Sequence, residues 1–105
     1  MGFQLTCAGD QLNSEDALKY GLIAQLFTSP AECITGALDL AEKIAAYSPL
    51  AVAAAKEAVN AAFEEGLSRG LETERRLFWG SFATEDRKIG MEAFAKKQKP
   101  VWTGR

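Results

Sequence analysis

The sequence has 105 residues, of which 48% are hydrophobic and 25% charged, with a formal net charge of −2. A chain of this length forms one domain at most, and its composition excludes a disordered or fibrous protein. The two cysteines, Cys7 and Cys33, are too few for a disulfide framework. The chain has no histidine, so it lacks the commonest metal ligand and the commonest general base.

The first 27 residues predict short elements. Residues 2–8 are typical of the last turns of a longer helix, ended by Gly9 and Asp10. Asn13 or Ser14 can cap a short helix that stops at Gly21. Residues 22–27 are apolar and predict an extended segment that crosses a surface rather than joining a sheet.

Two serine–proline pairs predict the starts of longer helices. Ser29-Pro30 begins one that runs to about Tyr47, and Ser48-Pro49 begins the next. Helical spacing places an apolar face on each of them. For the first helix this face comprises Ile34, Leu38, Ala41 and Ile44. For the second, a buried stripe is predicted from Val52, Ala55, Val59, Ala62 and Phe63.

The remaining sequence predicts two further helices. Gly66 and Gly70 interrupt the helical spacing of apolar residues. The spacing then continues through Leu71, Leu77, Phe78 and Phe82. Glu72 and Arg76 are four residues apart and can form an ion pair. Thr84 caps the final helix, and Pro100 is expected to stop it. The predicted fold is mostly α, with about four amphipathic helices and one short extended connection.

The charges are unevenly distributed. Residues 1–86 carry 6 basic and 13 acidic side chains, whereas residues 87–105 carry 6 basic side chains and one acidic. This asymmetry favours a small anionic ligand or an acidic partner surface. Nucleic acid is disfavoured, because the basic segment is short and the acidic part would repel a polyanion.

No catalytic residue and no metal site are predicted. The neighbouring carboxylates Glu64-Glu65, Glu72/Glu74 and Glu85-Asp86 are interpreted as solvated surface charge. Without histidine no Ser-His or Cys-His pair can form, and neither usual phosphate-binding glycine loop is present. There is no secretory start and no apolar run of about 20 residues. We therefore expect a cytoplasmic protein without a membrane span.

Phe94 and Lys97 form the most distinctive pair. The two residues are three apart on a helix, so the phenyl ring and the ammonium would share a face. Such a pair suits a nucleotide, because the ring can pack on the flat base and the ammonium can bind the phosphate. The alternative is a core phenylalanine beside a solvated basic helix end, and spacing alone favours that alternative. Phe78 and Phe82 are expected in the core, with Trp79 half-buried beside them.

An ordered series of motifs covers nearly the whole chain and resembles the enoyl-CoA hydratase/isomerase (crotonase) family, specifically its C-terminal helical region. The series is Gly9-Asp10-Gln11-Leu12, Asp16-Ala17, Gly21-Leu22-Ile23, Ala54 to Asn60, Glu74 to Phe82, Thr84-Glu85-Asp86-Arg87, Gly90-Met91-x-Ala93-Phe94-x-x-Lys97 and Lys99-Pro100. Ile89 departs from the acidic residue that the family often has there.

The resemblance implies an acyl-CoA enzyme whose backbone N–H donors and catalytic glutamates lie upstream of these residues. In the intact enzyme Phe94 and Lys97 would approach the adenine and phosphate end of coenzyme A, and Phe78 would line the route of the acyl tail. Residues 1–27 would connect to the catalytic core. Residues 28–105 would form an assembly domain of a trimer or hexamer. This chain alone would be catalytically silent and would not bind coenzyme A tightly.

The alternative is a free-standing helical module that self-associates and has no enzymatic role. Both interpretations predict self-association, because the apolar helix faces need another surface to cover them.

Overall fold

The computed structural model describes residues 2–105, apart from the side chains of Phe3 and Gln4. It contains six helices and, within that range, no strand. They are α1 (Gly2–Ala8), α2 (Ser14–Lys19), α3 (Pro30–Ala45), α4 (Pro49–Glu64), α5 (Leu67–Ser81) and α6 (Glu85–Lys96). The mostly α prediction is confirmed. The four longer helices match the four predicted ones, and α1 and α2 are the short segments expected before them.

The chain divides into two compact units, Met1–Leu40 and Ala41–Arg105, and the boundary falls within α3. In the first unit the side chain of Asn13 caps α2 by accepting a hydrogen bond from the Asp16 amide at 2.7 Å. Ala17 is buried there. Residues 20–29 form neither helix nor strand, so residues 22–27, predicted to be extended, join no sheet, as expected.

The start of α3 follows the serine–proline signal. The Ser29 hydroxyl accepts from the amide of Glu32 at 3.3 Å, and Pro30 is the first helical residue. The Glu32 carboxylate in turn accepts from the backbone N–H of Thr28 at 3.2 Å and from the Thr28 hydroxyl. These hydrogen bonds hold the pKa of Glu32 below its usual range, with the Thr28 hydroxyl contributing most.

In the second unit α4 packs against α5. Ser48 caps α4 by accepting from the amide of Ala51, as predicted from Ser48-Pro49. Arg76 of α5 pairs with Glu57 of α4 at 3.4 Å. The predicted Glu72–Arg76 pair is therefore wrong: the neighbouring helix offers Arg76 a carboxylate that local spacing cannot reveal.

Thr84 caps α6 by accepting from the amide of Arg87 at 3.2 Å, as predicted. The helix ends earlier than Pro100. Lys97 adopts the left-handed conformation, with φ 53° and ψ 40°, and the Gln98 amide donates back to the Ala93 carbonyl at 2.8 Å. This reversal, which a glycine usually supplies, ends the helix before the proline is reached.

The predicted buried stripes are not buried within this chain. On α3 and α4 the larger apolar side chains of those stripes are mostly exposed: Ile34, Leu38, Ile44, Val59 and Phe63. Leu71 and Phe78 of α5 and its C-cap residue Phe82 are exposed as well, although Phe78 and Phe82 are expected in the core. Spacing identifies which face is apolar, but burial needs a second surface, and the 105 residues supply too little of one.

Candidate functional site

A largely apolar groove of about 500 Å³ lies in the second unit. Its walls come from α4, α5, α6 and the tail, and they include Leu50, Ala54, Leu77, Met91 and Trp102. Polar groups gather where α4 and α6 begin, at Ser48, Thr84 and Asp86. Neither Phe94, Lys97 nor Phe78 lines this groove.

Asp86 is the most buried of these polar residues, with 2% of its surface exposed. Its carboxylate accepts from the Ser48 hydroxyl at 2.6 Å, the Thr103 amide at 2.8 Å and the Thr103 hydroxyl at 3.0 Å. The Gly104 amide donates to both carboxylate oxygens, at 3.1 and 3.2 Å. The interpretation of Asp86 as solvated surface charge is wrong, because α4 and the tail enclose it.

The pKa of Asp86 is held below its usual range, chiefly by the hydrogen bond from Ser48. Burial opposes this by raising the pKa, and the donors of Thr103 and Gly104 lower it further. The carboxylate also lies in the first turn of α6, where the helix dipole favours a negative charge. Hydrogen bonds and the helix dipole therefore stabilise the ionised carboxylate, and within residues 2–105 no ion pair contributes.

Residues 101–105, here called the tail strap, follow Pro100. The Trp102 indole N–H donates to the Ala46 carbonyl at 2.8 Å. A Cβ placed on Gly90 would lie 3.2 Å from the Trp102 ring, so the absence of a side chain at Gly90 makes room for the indole. The backbone N–H of Asp86 donates to the Arg105 carbonyl at 3.0 Å. The strap is thus fixed to the starts of both α4 and α6.

Phe94 lies near the end of α6 with 86% of its surface exposed. It is not the core phenylalanine of the alternative interpretation. Lys97 follows the last helical residue, so the shared face expected for two helical residues does not apply to it. Within residues 2–105 the ion pairs are Arg76–Glu57 and Lys96–Glu92, so the Lys97 ammonium takes part in neither.

Phe78 belongs to an exposed aromatic cluster on α5. Its ring meets those of Trp79 and Phe82 edge to face, with centroids 5.7 and 5.2 Å apart. The Arg87 guanidinium lies over the Phe82 ring at 4.1 Å. The cluster is exposed and apolar, and Trp79, expected to be half-buried, is mostly exposed within it.

Across the described residues, no three His, Cys, Asp or Glu side chains are placed to hold a metal ion. None of the helices in that part of the chain has the length and apolar character required to cross a membrane.

The family model described as enoyl-CoA hydratase/isomerase matches residues 3–105. A probable mitochondrial enoyl-CoA hydratase of Dictyostelium discoideum is 46% identical over 99 residues, which are 94% of this chain and 35% of the relative. The mitochondrial enoyl-CoA hydratase of Pongo abelii is 42% identical over 100 residues, 94% of this chain and 34% of its own length. The chain thus spans about a third of the curated relatives it matches.

The fold is shared with solved structures. The crystal structure of an enoyl-CoA hydratase from Mycobacterium marinum superposes with a TM-score of 0.82 at 36% identity, covering 92% of this chain and 38% of that one. The predicted resemblance is confirmed by sequence and by structure, and this chain belongs to the enoyl-CoA hydratase/isomerase family.

Proposed function

We propose that this chain is the C-terminal helical part of an acyl-CoA enzyme of its family, in which it supplies oligomer contacts and one edge of the coenzyme A site. The observation that carries the proposal is the family match over residues 3–105 combined with coverage of about a third of each relative. In the intact protein the reaction is the hydration of a 2-enoyl-CoA. Residues 1–27 connect to the catalytic core and residues 28–105 form the assembly domain.

The purified 105-residue chain is expected to give no hydration of a short 2-enoyl-CoA above the uncatalysed rate. By the family resemblance the backbone N–H donors and catalytic glutamates lie upstream of these residues, and the buried carboxylate, Asp86, already accepts hydrogen bonds from Ser48, Thr103 and Gly104. The loss of enoyl absorbance measures the rate. The control is the product of the complete reading frame assayed at equal molarity. Turnover by the 105-residue chain itself would contradict the proposal.

The exposed ring of Phe94 and the ammonium of Lys97 suit the adenine and phosphate groups of coenzyme A, and Phe78 suits the acyl tail. Lys97 is the one described non-glycine residue with positive φ. A lysine in the left-handed conformation costs about 1 kcal/mol relative to glycine. Strain of this kind is common where a side chain has a function. It supports a role for the ammonium that glycine could not perform.

Lys97→Gly is expected to raise the free energy of unfolding by about 1 kcal/mol, because glycine adopts positive φ without strain. The same substitution should weaken the binding of coenzyme A to this chain, which we expect to be weak, by about two- to fivefold, the range for one exposed ion pair. Urea unfolding measures the first effect, and an NMR shift titration with coenzyme A measures the second.

The matched control is Lys99→Ala, which removes a nearby cation without changing a left-handed residue. It should affect binding less than Lys97→Gly and leave stability nearly unchanged. Equal coenzyme A titrations for the parent chain and Lys97→Gly would refute the assignment of Lys97.

The exposed apolar faces of α3–α5 also favour the second candidate, a free-standing helical module that self-associates. The two candidates differ in the subunit produced from the native locus. A subunit mass well above 11.4 kDa supports the C-terminal part of an enzyme, and a subunit mass of 11.4 kDa supports the free-standing module.

A further inference from the structure

We propose that Asp86 is an ionisation-dependent clamp for the tail strap: its negative charge holds residues 101–105 against α4 and α6, and loss of that charge releases the strap as a unit. The proposal is independent of the coenzyme A site. It rests on the geometry around one buried carboxylate and on the residues that carry its donors.

The donors come from two separate parts of the chain. Ser48 lies 38 residues before Asp86, whereas Thr103 and Gly104 lie 17 and 18 residues after it. All of them converge on the same two oxygen atoms. Hydrogen bonds to an ionised acceptor are roughly twice as strong as those between neutral groups. The carboxylate is therefore the group that joins the strap to the start of α4.

A neutral carboxyl group is a weaker partner for these donors than the anion. A protonated carboxyl carries an O–H of its own, which would point into a site that already contains the N–H and O–H donors of Ser48, Thr103 and Gly104. The Ser48 oxygen accepts from the Ala51 amide at 3.4 Å, and it could accept the carboxyl O–H only by turning its own hydrogen away from Asp86. Protonation thus removes charge assistance from every strap contact of this side chain at once.

No cation holds the carboxylate in place of these donors. Among the charged groups on the elements around Asp86, Arg76 of α5 and Arg87 of α6 line the same groove, Glu85 is the preceding residue and Arg105 ends the strap. Within residues 2–105 none of them forms an ion pair with Asp86. Glu85 lies 3.5 Å from the Thr103 hydroxyl, farther than Asp86 at 3.0 Å. Asp86 is thus the titrating group on which the strap depends most directly.

The pH range follows from the direction of the shift. The pKa of Asp86 is lower in the folded chain than in the unfolded one. The strap is therefore fully held at a pH above the ordinary carboxyl pKa of about 3.9, and it is released as the pH falls through the lowered pKa of folded Asp86. Release also withdraws the Trp102 indole. That ring is a wall common to the groove of about 500 Å³ and to a second one of about 620 Å³ beside α4.

The test follows three N–H signals of the 105-residue chain by NMR: the amides of Thr103 and Gly104 and the indole N–H of Trp102. The indole N–H of Trp79, which lies outside the strap, is the internal reference. We expect the three strap signals to shift together at one midpoint below about pH 4, while Trp79 does not follow them. Three independent midpoints would overturn the proposal.

Asp86→Asn should release the strap at neutral pH, with exchange of the three strap protons faster by about tenfold or more. Glu85→Gln, the matched control one residue away, keeps an oxygen that can accept from the Thr103 hydroxyl and should change the exchange rates far less than Asp86→Asn. Ser48→Ala keeps the charge of Asp86 but removes the donor at 2.6 Å. The pH midpoint of the three strap signals should therefore move up towards the ordinary carboxyl range. Helical circular dichroism checks each variant. Parent-like strap signals in a helical Asp86→Asn variant, or an unmoved midpoint in Ser48→Ala, would refute the clamp.

Discussion

Sedimentation of the purified chain at micromolar concentration is expected to show self-association, and the double substitution Phe63→Ser with Leu67→Ser is expected to weaken it strongly. Both side chains lie where α4 passes into α5 and are among the most exposed apolar groups, at 86% for Phe63 and 79% for Leu67. Burying either one fully would contribute about 1.5–3 kcal/mol. Each substitution should therefore raise the dissociation constant by about ten- to a hundredfold.

The matched control is Glu64→Ser, between the two positions, which removes an exposed charge and no apolar surface. It should leave the dissociation constant nearly unchanged. A parent chain that is folded and strictly monomeric would contradict the prediction of self-association. A double variant that associates as tightly as the parent would place the contact on another face.

Trp102→Ala is expected to lower the free energy of unfolding by about 2–3 kcal/mol, somewhat below the usual cost of truncating a fully buried tryptophan. The indole is partly buried, covers Gly90 and donates to the Ala46 carbonyl at 2.8 Å. A loss of that size lowers the melting temperature by about 10 °C or more in a chain of this length. Thermal unfolding followed by circular dichroism measures it.

Trp79→Ala is the matched control, because it removes the same side chain from a mostly exposed position. The indole contacts Phe78 of the same helix and the C-cap residue Phe82, so its loss should cost about 1 kcal/mol or less. Equal losses for the two tryptophans would show that the strap contributes no more to stability than an exposed aromatic ring.

The helix boundaries were predictable because their signals are local. Asn13, Ser48 and Thr84 each accept from a backbone amide three residues later, so the capping residue and its helix are read from one short stretch of sequence. The end of α6 before Pro100 was not predictable, for the opposite reason. A lysine in the left-handed conformation has no sequence signal comparable to glycine.

The surroundings of Asp86 could not be predicted. Its partners, Ser48 and Thr103, are distant in sequence, and a carboxylate in the first turn of a helix is usually solvated. The buried stripes failed for a related reason, since helical spacing does not say what covers an apolar face. The candidate residues Phe94, Lys97 and Phe78 came from the family resemblance, and their roles remain predictions.

The hydrogen bonds of Asp86 also bear on the order of folding. The α4–α5 hairpin joins neighbouring segments, so its contacts close short loops and can form early. Joining Ser48 to Asp86 spans 38 residues and joining Trp102 to Ala46 spans 56, against 19 between Glu57 and Arg76 of the hairpin. The larger loop-closure entropy must be lost before these hydrogen bonds compensate for it. The strap should therefore dock after the rate-limiting step, so that substitutions in it accelerate unfolding and leave the refolding rate nearly unchanged.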